Sequence, residues 1–280
     1  MDSQTFMEFE VRPQMSLEDA LYLADRLDIA REKGYASEMD DVLTRVTSWD
    51  TDYENGKITI KTKPALFPKP SLSESEMFRG EHWLFGGPYL SIIGQVYTGQ
   101  ESKKPEKHLV HVRTRKTFQG HEKVSASYAG YCEYVLDDKL ITPIEAAVHE
   151  FKEEIKNYAD IKPLFVQDGG SGLILTERPT RTLDIPMHFM GKQRLRNPLL
   201  SFVNYVDSKY ESIYPTVESL GDLDKVCQET EGDFEVAGIA WVPHNKLPEF
   251  WEQVRKADRV FSISNEISDN LRAYFDVLSK

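Results

Sequence analysis

Cysteine is nearly absent: the 280-residue chain has two, Cys132 and Cys227, far apart and in no CxxC pair. That excludes a scaffold built on disulfides, and a reducing cytoplasm is the expected compartment. No run of about 18 apolar residues occurs, so no membrane span and no membrane partner are expected. The opening "MDSQTFMEFEVRP" lacks the basic start and apolar core of a secretion signal. Positive charge is in deficit, with 34 Lys and Arg against 46 Asp and Glu and a formal net charge of -12. Such a surface repels a long phosphate backbone, so extended nucleic acid is not an expected partner. A phosphate-bearing ligand would need locally placed cations or metal ions. Internal repeats and low-complexity blocks are missing as well. What remains is a globular composition, 40% hydrophobic and 29% charged, in a chain long enough for one large domain or two small ones.

Helical periodicity opens the chain. "SLEDALYLADRLDIAREKG" has Ser16 in the capping position and ends at Gly34, and "SEMDDVLTRVTSW" follows with Ser37 as its cap, so the pair is expected to form a helical hairpin. "GKITIKTKP" reads as a strand, and the proline- and serine-rich "PALFPKPSLSES" as a connector. β-Branched runs then take over: "YLSIIGQVYTG" and "KHLVHVRTRK" form an expected hairpin, followed by "VSASYAGYCEYVL". "IKPLFVQDGGSGLI", "LLSFVNYVD" and "VAGIAWVP" read as further strands, while "KLPEFWEQVRKADRVF" and "SNEISDNLRAYFDVLSK" return to helical spacing. The apolar stripe Ile267, Leu271 and Phe275 of that last segment must bury against the chain itself or a partner, and a homodimer is one way to do so. Trp83, Trp241 and Trp251 are expected as core or packing residues, and one aromatic could instead stack a nucleobase.

One segment carries a candidate chemistry. In "ITPIEAAVHEFKEEI", helical geometry groups Ile144, Ala147, Val148, Phe151 and Ile155 as a buried stripe, and sets Glu150, Glu153 and Glu154 together on another side at i, i+3 and i+4. The triplet suits either a solvated acidic face or a site for a hard cation, and spacing alone leaves both open. Other constellations fall away. "HEFKE" lacks the second histidine of HExxH, and "DGGSGL" lacks the GK[ST] ending of a phosphate loop. His108 and His111, three apart on a strand, face opposite sides and make a poor metal pair.

"EAAVHEFKEEI" resembles the core of the Nudix box, G-x5-E-x7-R-E-U-x-E-E-x-G-U, with U a bulky aliphatic residue. Glu150 takes the glutamate after the arginine, Phe151 the bulky place, and Glu153 with Glu154 the paired glutamates. "SASYAGYCEYV" is similar to the AGxxE entry strand of that family, with Ala129, Gly130 and Glu133. Four box positions depart: His149 stands at the arginine, Lys156 at the second glycine, Ile141 at the isolated glutamate and Val135 at the first glycine. "YVLDDKL" also fills a place where a shorter turn is usual.

The resemblance implies an α/β fold, a Nudix-like α/β/α sandwich with a mixed sheet. Residues 88–257 would form it, with residues 1–87 as a helical extension and connector and residues 258–280 as a terminal helix. It implies a hydrolase of phosphoanhydride bonds, acting on a nucleoside triphosphate or a nucleoside diphosphate linked to another moiety, with Mg2+ or Mn2+ held by Glu150, Glu153 and Glu154. Glu133 and Glu235 are candidates for the general base, and Arg113, Arg115 and Lys116 for phosphate contacts. The other reading is a Nudix-like domain with an altered box that binds a nucleotide or protein without turnover.

Overall fold

In the computed structural model, residues 8–37, 41–52, 54–55, 57–67, 70–99, 105–114, 122–125, 127–155, 164–165, 199–206, 208–229 and 236–261 are described. The N-terminal part is a helix on a small sheet rather than a helical hairpin. Strand β1 (Glu8–Pro13) leads to helix α1 (Leu17–Glu32), whose cap Ser16 exchanges hydrogen bonds with Asp19 in a capping box. The second expected helix is instead strand β2 (Val42–Asp52), paired with β3 (Lys57–Leu66) in the order β1-β3-β2. Val42, Thr44, Val46, Thr47 and Thr51 are β-branched and favour the extended chain. A bulge between Val46 and Ser48 interrupts the two-residue alternation that would have announced a strand.

This unit is not an appendage. β2 hydrogen-bonds outward to the rest of the chain, Thr44 N to Cys132 O and Val46 N to Pro88 O at 2.8 Å each, with Tyr134 N reaching Val42 O at 2.7 Å. A short helix, α2 (Pro70–Ser73), carries the chain across.

The larger sheet contains β4 (Ser91–Thr98), β5 (Lys107–Arg113), β6 (Val124–Ser125) and β7 (Tyr128–Tyr131). A hairpin of β8 (Val135–Leu136) and β9 (Lys139–Leu140) precedes helix α3 (Pro143–Glu154). Its two turn residues, Asp137 and Asp138, have φ of 49° and 58°, the left-handed pair that a tight two-residue turn requires. The chain continues through β10 (Leu164–Phe165), β11 (Leu199–Val206), helix α4 (Leu220–Glu229), β12 (Val236–Pro243) and helix α5 (Leu247–Lys256). The strand order is β10-β11-β4-β5-β12, with β7 on β4 and β6 on β5; β11 runs parallel to β4 and the other pairs are antiparallel.

Every residue of β4 is buried, as expected of a central strand covered on both faces. On one face Ile92, Val96, Leu109, Ile239 and Trp241 pack with Ala147 and Phe151 of α3; on the other Val110, Val112, Ala240 and Val242 pack with Leu223 of α4 and with Phe250, Trp251 and Val254 of α5. The fold is therefore mixed α/β, and none of its described helices is long and apolar enough to cross a membrane. Trp241 and Trp251 are in the core as expected, but Trp83 is 61% exposed. Residues 257–261 return along β6, with Phe261 N bonded to Val124 O at 2.9 Å. The helix expected beyond them, and most of "IKPLFVQDGGSGLI", lie outside the described residues.

Candidate functional site

Helix α3 starts where its sequence provides a stop for the preceding strand and a cap for itself. Thr142 Oγ1 accepts from Glu145 N at 3.2 Å, Glu145 Oε2 accepts from Thr142 N at 2.7 Å, and Pro143 occupies the first turn where no N–H is needed. The helix is rolled about its axis relative to the expected stripe. Pro143, Ala146, Ala147, Phe151 and Glu154 are buried, while Ile144 and Val148 are only partly covered. Glu154 thus lies near the middle of the buried arc, Glu150 beside it, and Glu153 at the margin.

Strand β7 is what the acidic residues meet. Tyr128 packs edge-on against Phe151 with ring centroids 5.5 Å apart, and its hydroxyl donates to Asn204 Oδ1 at 2.7 Å. Ala129 N donates to Glu154 Oε2 at 2.9 Å. Gly130 leaves room for Glu150, since a Cβ there would stand 1.9 Å from Glu150 Oε1. Glu133, two residues past the strand, faces His149. The residues of the AGxxE segment therefore each touch the helix at a different acidic or neighbouring position.

The α3 side chains at this end fall on two sides of the helix. On the inner side, Glu154 is 2% exposed. Its Oε1 lies 3.5 Å from Arg113 Nη1, and its Oε2 lies 3.7 Å from Nδ1 of His111, whose own hydrogen bond runs to Ser127 O at 2.9 Å. Arg113 is in turn covered by Phe261, its guanidinium carbon 4.8 Å from the ring centroid, a cation–π contact. His111 and Arg113 reach this point because alternate residues of β5 share a face. His108 points to the other face, 2.7 Å from Nδ1 of His244 through its Nε2.

On the outer side, His149 stands between two carboxylates. Its Nδ1 is 3.4 Å from Glu133 Oε1 and its Nε2 is 3.5 Å from Glu153 Oε1, and the Nδ1 contact does not have the geometry of a hydrogen bond. Glu153 is well exposed, with a side-chain exposure of 59%. Glu133 is different: burial first, then the neighbouring charges of Asp41, Glu153 and Asp137, push its carboxyl up to about 7. Thr44 Oγ1 donates to the Glu133 carbonyl at 2.7 Å, so the N-terminal sheet fixes the segment that carries this carboxyl.

Glu150, Glu153, Glu154, Glu133 and Arg113 are thus brought together around one end of α3, with His149 and His111 as additional members. Arg115, Lys116 and Glu235 lie outside the described residues. Among the described residues, no group of three or more His, Cys, Asp or Glu side chains is arranged to hold a metal ion. The donor chemistry nonetheless suits one: the α3 donors are carboxylates, the hard oxygen ligands that Mg2+ and Mn2+ take, and each ionised carboxylate has about four lone-pair directions. His149 and Glu133 were both singled out in the sequence, but their pairing was not, because the β8–β9 hairpin separates them along the chain. Comparison of the chain with protein-family models and with curated proteins finds no match.

Proposed function

We propose that this protein is a metal-dependent hydrolase of the Nudix type. It would cleave a phosphoanhydride bond in a nucleoside triphosphate or in a nucleoside diphosphate joined to another group. The observation that carries this reading is the docking of the Ala129–Gly130 strand and Glu133 onto Glu154, Glu150 and His149. Two segments that resemble the family independently in sequence meet at their polar residues. The mixed sheet covered by α3 on one side and by α4 and α5 on the other supports it further, as an α/β/α sandwich. Fold likeness alone would not, because function resides in the site.

In this reading Glu150 and Glu153 offer carboxylates to Mg2+ or Mn2+, with Glu154 directly behind them. The cation would neutralise phosphate charge and acidify a bound water. Glu133 supplies what a general base requires, a carboxyl that changes protonation near neutral pH, because it is half-buried among other acids. His149 keeps Glu133 and Glu153 on either side of its ring. The N-terminal sheet closes the side on which Glu133 sits, so it is also the expected wall for whatever group the nucleotide carries.

A non-hydrolysing nucleotide-binding domain is the second reading. It is favoured by the engagement of Glu154 and Arg113 with each other, which withdraws one acid and one cation from a ligand. The test is release of phosphate or nucleotide from nucleoside triphosphates, ADP-ribose, dinucleotides and nucleotide sugars with Mg2+ or Mn2+, beside a Glu150→Gln/Glu153→Gln variant. Metal-dependent turnover lost in the variant is the expected result. Nucleotide binding without turnover selects the second reading, and neither binding nor turnover overturns both.

A further inference from the structure

We infer that Glu154, although it takes the second place of the paired glutamates in the box, is a positioning residue and not a metal ligand. The inference rests on the hydrolase reading above and divides its acidic residues by task. Three features on different elements hold Glu154. It is 2% exposed near the centre of the buried arc of α3, so the helix would have to roll to present it outward. Oε2 accepts from the backbone N–H of Ala129 at 2.9 Å, which ties the last turn of α3 to β7. Oε1 faces Arg113 at 3.5 Å, and Arg113 is pinned by Phe261 from the returning C-terminal segment.

A buried carboxylate needs such partners, since an uncompensated charge in the interior costs far more than a satisfied pair. Glu153 is the opposite case, with a side-chain exposure of 59% and contact to His149 at the margin of the helix. Adjacent glutamates point about 100° apart on a helix. One can therefore serve the interior while the other serves a ligand. The Glu154 clamp fixes how far α3 is rolled against β7. That roll decides where Glu150, seated over Gly130, and Glu153 present their oxygens.

The test compares wild type, Glu154→Gln, Glu153→Gln, Arg113→Gln and the double variant Arg113→Gln/Glu154→Gln. Glutamine at 154 keeps an oxygen for Ala129 N but removes the negative charge that faces Arg113; the double variant removes both charges. Thermal unfolding in EDTA reads the clamp without metal. Glu154→Gln and Arg113→Gln are each expected to lower the midpoint, by on the order of 5–10 °C for a broken buried pair in a chain of this size. The double variant is expected to recover at least half of that loss. Mn2+ binding followed by electron paramagnetic resonance reads the ligands: Glu153→Gln weakens it by about tenfold or more, and Glu154→Gln by less than about threefold.

Turnover separates positioning from mere stability. At a temperature where every variant is folded, Glu154→Gln lowers kcat with KM unchanged, and the double variant restores part of it. Three results overturn the inference: an unfolding midpoint for Glu154→Gln equal to wild type, an Mn2+ affinity that falls as far as in Glu153→Gln, or an unchanged kcat. If wild type binds no Mn2+ at all, the hydrolase reading falls, and the EDTA arm still decides whether the clamp exists.

Discussion

Two glycines face a collision of equal severity if given a methyl group, yet opposite consequences are expected. A Cβ on Gly94 would stand 1.9 Å from Cζ of Tyr128 and 2.0 Å from Cε1; a Cβ on Gly130 would stand 1.9 Å from Oε1 of Glu150 and 2.2 Å from its Cδ. Neither glycine has a positive φ, so alanine strains neither backbone and the outcome depends on what must move. Tyr128 cannot yield. It is fully buried, bonded through its hydroxyl to Asn204 at 2.7 Å, and packed edge-on against Phe151. Displacing the ring combines overpacking with loss of a hydrogen bond and an aromatic contact, so Gly94→Ala should cost about 3 kcal/mol or more.

Glu150 can yield, because the atoms in the way are the end of a flexible side chain. Its carboxylate need retreat only by about 1.5 Å to reach ordinary contact distance, a rotamer change that costs about 1 kcal/mol and is offset by the lower entropy of an unfolded chain carrying alanine. Gly130→Ala should therefore stay within about 1 kcal/mol of wild type. Its function should not: a displacement of more than about 1 Å at a reacting centre can cost on the order of a hundredfold in rate. Urea unfolding of both variants, with Mn2+ binding and hydrolysis of whichever substrate the panel yields, checks the pair. Equal destabilisation of the two variants, or a Gly130→Ala protein with full activity and metal affinity, would refute the assignment of Glu150 to the site.

Glu133 makes stability depend on pH. Its folded carboxyl is raised to about 7 from 4.5, so between those values the folded state holds a proton the unfolded chain has lost, and stability falls as pH rises through that window. The loss, on the order of 3 kcal/mol, is complete above pH 7; Glu133→Gln should thus gain on wild type at pH 8 relative to pH 5, and an equal difference at both pH values counts against it. Deleting residues 1–80 should yield an aggregating chain, because it strips β2 from Pro88, Leu90, Cys132 and Tyr134 and uncovers Leu84, Phe85 and Tyr134 of the apolar cluster it helps to form; a monodisperse, cooperatively unfolding product in size exclusion and limited proteolysis would contradict this. Asp137→Asn with Asp138→Gly, which suits a turn with two left-handed residues, should raise the unfolding midpoint by about 0.5–1 kcal/mol equivalent, and a fall would show that Asp137 matters more to its carboxylate neighbours than to the turn.

Much of the fold was legible where one period dominated. β4, β5, β11, β12 and α5 appear where apolar β-branched runs or helical spacing place them; β4, β5 and β12 are buried almost throughout, as strands covered on both faces require. β2 was not, since its bulge shifts the register and its apolar residues fall at spacings a helix also allows. α4 was not read as a helix, although Ser219 with Asp222 three residues later marks its start, with Ser219 Oγ accepting from Asp222 N at 3.2 Å. In the site, the identities of Glu133, Glu150, Glu153, Glu154 and Arg113 were readable. Their division was not, because the roll of α3 is set by contacts with β4 and β7 that no local pattern encodes.

On the proposed hydrolase reading, that roll also gives His149 a physical rationale. With Glu154 turned inward against Arg113, an ion pair that neutralises an acidic residue of α3 is already supplied from β5. The position before Glu150 then faces outward at the flank of the helix, toward a carboxyl on the segment between β7 and the β8–β9 hairpin that the N-terminal sheet holds in place. A permanent guanidinium there would sit between Glu133 and Glu153 and hold both ionised, whereas an imidazole offers one nitrogen to each and leaves Glu133 in an acidic, half-buried setting where its protonation changes near neutrality. His149 and the N-terminal sheet thus act on a single residue, Glu133. On the proposed hydrolase reading, His149 and the β8–β9 hairpin fit one site, in which Arg113 balances the interior acid and Glu133 would be the group that exchanges a proton.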